Sequence, residues 1–89
     1  MAQIFKLCSV YDHASQVFAR PFPVVAGGQA IRDFTDEVNR AADDNPLYKH
    51  PDDYTLYIIG TYDDSTGFVD ALGTPEQLVR GKDVVKVQG

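Results

Sequence analysis

Residues 48–67 read YKHPDDYTLYIIGTYDDSTG, and the reading of this stretch decides the fold. Its centre, YTLYIIGTY at 54–62, is dense in β-branched and aromatic residues, which fit a pleated, half-buried surface, and predicts the main strand. DDSTG at 63–67 follows as a hairpin loop. Gly67 is placed for the left-handed conformation that closes a type I turn with a bulge, and FVDAL at 68–72 returns as the partner strand. Gly60 marks either a bulge or a close approach by another backbone. By strict alternation, Tyr54, Leu56, Ile58, Gly60 and Tyr62 share one face, and Thr55, Tyr57, Ile59 and Thr61 the other.

The acidic flanks of this strand invite a reading as a site. His50, Asp52 and Asp53 are metal-type ligands, but three such groups packed within four residues across a proline rarely converge on one ion, and His13 lies in another segment. Pro51 stiffening the approach to the strand, with aspartates solvating the turns, accounts for the pattern. DDNP and DDSTG lack the ligand alternation and terminal Glu of a calcium loop. Gly27 and Gly28 precede a helix without the Lys-Ser/Thr of a phosphate-binding loop or the glycine spacing of a dinucleotide fold, so they read as a strand-to-helix turn. No GxSxG nucleophile elbow occurs. No catalytic, cofactor-binding or metal-binding residue is assigned, and the expectation is that the protein is not an enzyme.

Outward from the main strand, QIFKLCSVY at 3–11 predicts a first strand, DHAS at 12–15 a turn, and QVFARPFPVV at 16–25 the returning strand. Pro21 and Pro23 cannot donate ladder hydrogen bonds, so the second half of that strand belongs at an edge or outside the sheet. In QAIRDFTDEVNRAADD at 29–44, Ile31, Phe34, Val38 and Ala41 recur at helical spacing, predicting one amphipathic helix of three to four turns with an exposed Arg32–Asp36 pair. TPEQLVRG at 74–81 predicts a short helix: Thr74 caps it, Pro75 suits its first turn, Gln77 completes a capping box and Gly81 stops it. The fold class is therefore α+β: a small antiparallel sheet of two β-hairpins, about four strands, with one main amphipathic helix on one face and a short C-terminal helix, in ββαββα order. Residues 1–89 form a single domain, with 82–89 as an edge strand, a dimer arm or a loose tail.

The chain has 89 residues and a formal net charge of −5. Affinity led by phosphate contacts calls for the opposite sign, so non-specific DNA coating is disfavoured. The single cysteine, Cys8, excludes an internal disulfide and a cysteine-based zinc cluster, and its place in a strand suits a buried, inert thiol. The N-terminus has no signal-peptide pattern and no apolar run is long enough to span a bilayer, so a soluble, cytoplasmic protein is expected. One helix covers one face of a sheet. The other face, with its tyrosines, needs either a second protomer or stacked bases. Basic residues are few, and the charge balance leans toward a protein partner. For nucleic acid, strand parity and charge type select Lys6, Arg20 and Arg32 for phosphates and Tyr57 and Tyr62 for base stacking.

FARPFPV, GGQAIRDFTDEVN and HPDDYTLYIIGTYDDSTG, in that order, resemble the small nonstructural protein of the microviruses, especially the gokushovirus group. The shared pattern is a strand pair with PF, a helix with A-x-R-x-F and D-x-V-N, and a hairpin HP-x-DY-x-L-x-x-x-G-x-(F/Y)-D-x-x-TG. Here it falls on Pro21 and Phe22; Ala30, Arg32 and Phe34; Asp36, Val38 and Asn39; and His50, Pro51, Asp53, Tyr54, Leu56, Gly60, Tyr62, Asp63, Thr66 and Gly67. The resemblance implies a nonstructural accessory protein in replication of a circular single-stranded DNA phage genome. It would act in the host bacterial cytoplasm during single-stranded DNA synthesis, by binding single-stranded DNA or a replication protein. The alternative is an interaction module that binds the viral replication initiator or a host factor without touching DNA. A homodimer is expected, and no membrane partner.

Overall fold

The computed structural model describes residues 2–86. Strands β1 (Ile4–Asp12), β2 (Val17–Phe18) and β3 (Phe22–Val24) are followed by helices α1 (Gly27–Val38) and α2 (Pro46–Lys49) and by the long hairpin β4 (Tyr54–Asp63) and β5 (Phe68–Arg80). Single 3-10 turns cover Pro51–Asp53 and Gly81–Asp83. All pairings are antiparallel. β1 and β4 form the centre, β5 is one edge, and β2 and β3 share the other edge along β1.

The returning strand expected over 16–25 is split. Tyr11 faces Phe18 and Cys8 faces Phe22, so the chain between Phe18 and Phe22 spans a break in the ladder at Pro21. The break is bridged by hydrogen bonds from the Ala19 amide to the Val10 carbonyl, 2.8 Å, and from Ser9 Oγ to the Ala19 carbonyl, 2.7 Å. Both prolines lie on the edge, where a missing donor costs least.

Helix α1 buries Ala30, Phe34 and Val38 against Cys8, Val24, Leu56 and Ile58. It ends at Val38, earlier than the spacing predicted, and Ala41 is exposed beyond it. Asn45, almost fully buried, organises the exit. Its Nδ2 donates to the carbonyls of Glu37 (2.8 Å) and Arg40 (2.9 Å), while its Oδ1 accepts from the Leu47 amide and caps α2. Among the described residues the ion pair here joins Glu37 of α1 to Arg40 just beyond its end, 2.6 Å, and the expected Arg32–Asp36 pair is not formed.

The short C-terminal helix expected over 74–81 is not formed, and the ββαββα order does not hold. Residues 76–80 run on in β5, with Glu76 opposite Ile58, Gln77 opposite Tyr57, Val79 opposite Leu56 and Arg80 opposite Thr55. The physical reason is competition. An isolated helix of barely two turns closes few hydrogen bonds after its costly nucleus. The free edge of β4 offers a whole ladder, and Val79 joins the core margin. Beyond Gly81 the chain docks on the end of α1, where Asn39 Nδ2 donates to the Val84 carbonyl (2.9 Å) and Asn39 Oδ1 accepts from the Lys86 amide (2.8 Å). The last three residues of the predicted tail, 87–89, lie outside the described residues.

Two irregularities meet at one residue of β4. Leu7 faces Gly60 and Cys8 faces Ile58, so Ile59 is extra relative to β1. On the other side Ile58 faces Glu76 and Gly60 faces Ala71, leaving Leu72–Pro75 opposite Ile59 alone. Gly60 permits this crowding: a Cβ there would lie 2.4 Å from the Asp70 carbonyl oxygen. Both readings offered for Gly60, bulge and close approach, hold. Gly67 has φ 77, the left-handed turn conformation its position predicted.

Candidate functional site

Because β1 alternates without interruption, Phe5, Leu7, Ser9 and Tyr11 point to the face away from α1, while Cys8 and Val10 join the helix side. Directly opposed residues of antiparallel strands share a face. Thr55 (opposite Tyr11), Tyr57 (opposite Ser9), Gly60 (opposite Leu7) and Tyr62 (opposite Phe5) therefore all belong to the open face, and Phe18, opposite Tyr11, joins them. The bulge at Ile59 moves Tyr62 to the side of Tyr57, against strict alternation.

The rings cluster in two places. Tyr11 and Phe18 lie 4.7 Å apart between centroids, Phe18 and Tyr57 5.6 Å, and Tyr11 and Tyr57 6.3 Å with planes at 89°. His13 lies perpendicular to Tyr11, 4.8 Å between ring centroids, and its Nε2 lies 2.9 Å from Oγ1 of buried Thr55. Nearer the hairpin tip, Phe5 and Tyr62 are stacked at 6.2 Å. The β5 bulge rises beside the first cluster, and Tyr11, Phe18, Tyr57, Thr74 and Pro75 line an open cleft of about 420 Å³.

Charge divides between the two sides. The register puts the strand carboxylates Asp12, Asp63, Asp70 and Glu76 on the helix side, where α1 adds Asp33, Asp36 and Glu37. No strand residue of the open face is acidic, and Arg80 sits there, opposite Thr55. The net acidity of the chain is thus carried mainly by the other side.

Two carboxylates act in turns, Asp63 in DDSTG as its spacing predicted and Asp12 in DHAS. Asp12 accepts from the Ser15 hydroxyl (2.8 Å) and the Ala14 amide (2.9 Å), and Asp63 from the Ser65 hydroxyl (2.6 Å) and amide (2.9 Å). Those hydrogen bonds, the serine hydroxyl first, hold both carboxyls below the usual aspartate range. Burial pushes the Cys8 thiol up, although nearby Lys6 opposes it, so the cysteine is a packed, protonated group. Among the described residues no three histidine, cysteine or acidic side chains gather as a metal site, and no helix is long and apolar enough to cross a membrane.

Of the residues selected from sequence, Tyr57 and Tyr62 share the open face, one in each ring cluster. Lys6, opposite Val24 and Thr61, lies on the helix side, and Arg32 is on α1, so neither joins them. Arg20 is exposed at the break between β2 and β3, on the edge of the sheet. Sequence reasoning passed over Phe5, Tyr11, Phe18 and Arg80. Alternation along β1 carried the signal for Phe5 and Tyr11. Arg80 was hidden by its assignment to a helix.

The family model described as Phage ORF5 protein matches residues 5–84, nearly the whole chain. No curated protein and no solved structure matches.

Proposed function

The chain belongs to the Phage ORF5 protein family, and from that premise we propose that this phage accessory protein binds single-stranded DNA during replication of a circular single-stranded genome in the host cytoplasm. It does so as a binding protein, not an enzyme. The observation that carries this reading is the open sheet face. Five half-exposed aromatic rings lie on it, no strand carboxylate does, and Arg80 stands at its end. A base stacks on any exposed ring irrespective of sequence, and a sheet face bearing aromatics is a recurrent platform for single strands. Arg80, with Arg20 at the edge, supplies phosphate contacts. Segregation of the carboxylates to the helix side answers the objection raised by net charge, since local field rather than total charge acts on a strand lying across this face.

The test is titration of the purified protein into labelled single-stranded DNA, with matched duplex as control, at low and physiological salt. Preference for the single strand, weakening with salt, is expected. Equal affinity for duplex, or no binding at either salt, overturns the reading.

A second reading is favoured by the far end of the hairpin. Ile4 and Phe68 flank Asp63 on one rung, exposed at 56% and 70%, and Val69 beside them at 61%. An exposed apolar tip of this kind suits a protein partner, either a second copy of the chain or the replication initiator. Sedimentation of wild type and Phe68→Ser distinguishes them: a dimer that the substitution dissociates identifies the second copy, and a monomer throughout leaves the initiator to be tested by co-sedimentation.

A further inference from the structure

We propose that the cleft between Tyr11, Phe18, Tyr57 and the Thr74–Pro75 bulge takes one unstacked base of a single-stranded DNA, and that the Phe5–Tyr62 pair receives a second, non-adjacent base of the same strand. This rests on the DNA-binding reading above and specifies how the face is used.

The cleft has the dimensions and walls of a base site. Its volume of about 420 Å³ lies within the range of small-molecule sites, roughly 300–1,000 Å³. The rings around it are set at 53°, 68° and 89° to one another, so they do not stack among themselves. A planar guest lying on one ring meets the edge of the next, the arrangement aromatic pairs prefer. The fourth wall is polar. Leu72–Pro75 have only Ile59 opposite them, so peptide groups there are released from the ladder beside the Thr74 hydroxyl and can meet the edge of a base. With no strand carboxylate on this face and Arg80 at its end, the surface suits an anionic guest, and its rings suit one that carries bases.

The separation of the two stations is set by β1. Tyr57 stands opposite Ser9 and Tyr62 opposite Phe5, four residues along one strand, which is about 13 Å at the usual rise. A stacked strand climbs ~3.4 Å per nucleotide, and a splayed strand extends further per step, so about two to four nucleotide steps join the stations. The two bases held cannot be neighbours.

Abasic scanning of the intact protein tests this. A thymidine oligonucleotide is trimmed to the shortest length that binds, and one base at a time is removed while affinity is followed by fluorescence anisotropy. Two sensitive positions are expected, each weakening binding by about fivefold or more, separated by at least one insensitive position. Phe18→Ala abolishes the penalty at one position only, and Phe5→Ala at the other. Thr74→Val, which keeps the shape of the bulge, weakens binding of the intact oligonucleotide but not of the oligonucleotide lacking the base in the cleft. Uniform penalties, or two adjacent sensitive positions, overturn the two-station inference while leaving DNA binding in place. Failure of wild-type protein to bind any single strand overturns both.

Discussion

Tyr57 and Tyr62 present their rings to the same face of the sheet, although they lie five positions apart, an offset that strict alternation sends to opposite faces. The extra residue, Ile59, reverses the alternation between them, and Gly60 lets the crowded β5 backbone pass. Tyr57→Ala and Tyr62→Ala should each weaken single-stranded DNA binding by about 1–3 kcal/mol, the usual worth of one stacked base. Tyr48→Ala, exposed on α2 away from the sheet, should leave affinity unchanged. Anisotropy titrations of the three variants, checked for fold by circular dichroism, decide the matter; equal losses in all three would remove the face from the argument.

Arg80 and Lys6 lie on opposite sides of the sheet and should separate in their salt dependence. Removing one phosphate contact from a single-strand complex lowers the slope of log K against log salt by about 0.7. That change is expected for Arg80→Ala and not for Lys6→Ala. The reverse pattern would place the strand on the helix side.

Two glycines are sites of close backbone approach. A Cβ at Gly60 would fall 2.4 Å from the Asp70 carbonyl oxygen, and one at Gly81 would fall 2.3 Å from that of Pro51. Backbone cannot swing aside as a side chain does, so Gly60→Ala and Gly81→Ala should each destabilise by about 2 kcal/mol or more. Gly73→Ala has open space around it and should be close to neutral. Urea unfolding of the three proteins provides the comparison, and a mild Gly60→Ala would mean that β4 and β5 are further apart than described.

Asn45 holds the end of α1 and the start of α2 with one buried amide. Asn45→Ala strands the Arg40 carbonyl and the Leu47 amide and leaves the Glu37 carbonyl with the Arg40 amide alone, and should cost about 2–3 kcal/mol in chemical denaturation. Asn45→Asp keeps the acceptor for Leu47 but turns the donor toward two carbonyls into another acceptor. It should be no more stable than the alanine variant at neutral pH.

Acid stability should depend on Asp12 and Asp63. Both carboxyls are held below the ordinary range, chiefly by the Ser15 and Ser65 hydroxyls. A folded-state value lower than the unfolded one means that the unfolded chain binds more protons, so stability rises with pH in that window. Their contribution is complete above the unfolded value of about 3.9 and fades as pH falls through the lowered folded values. The double variant Asp12→Asn/Asp63→Asn should show a shallower fall of melting temperature on acidification. A fall as steep as that of wild type would show that other groups govern it.

Local chemistry made much of this fold legible. The β-branched run at 54–62, the left-handed Gly67 and the 3.6-residue spacing of Phe34 and Val38 each act through neighbours in the chain, and each appears as its pattern foretold. The turn roles of Asp12 and Asp63 belong to the same class, because their partners lie within three residues. Tertiary structure decided the rest. TPEQLVRG carries a helix-start pattern, yet the free edge of β4 offered it a full ladder, and pairing with residues some twenty positions away outweighed a capping motif. The site was settled in the same way. Alternation along β4 separates Tyr57 from Tyr62, and Ile59, extra against β1, returns them to one face. The sequence thus determined the two central strands, the main helix and the turns at Asp12 and Asp63, because those preferences are local. Which side chains share a face depends on register between distant strands, and only the assembled sheet sets that register.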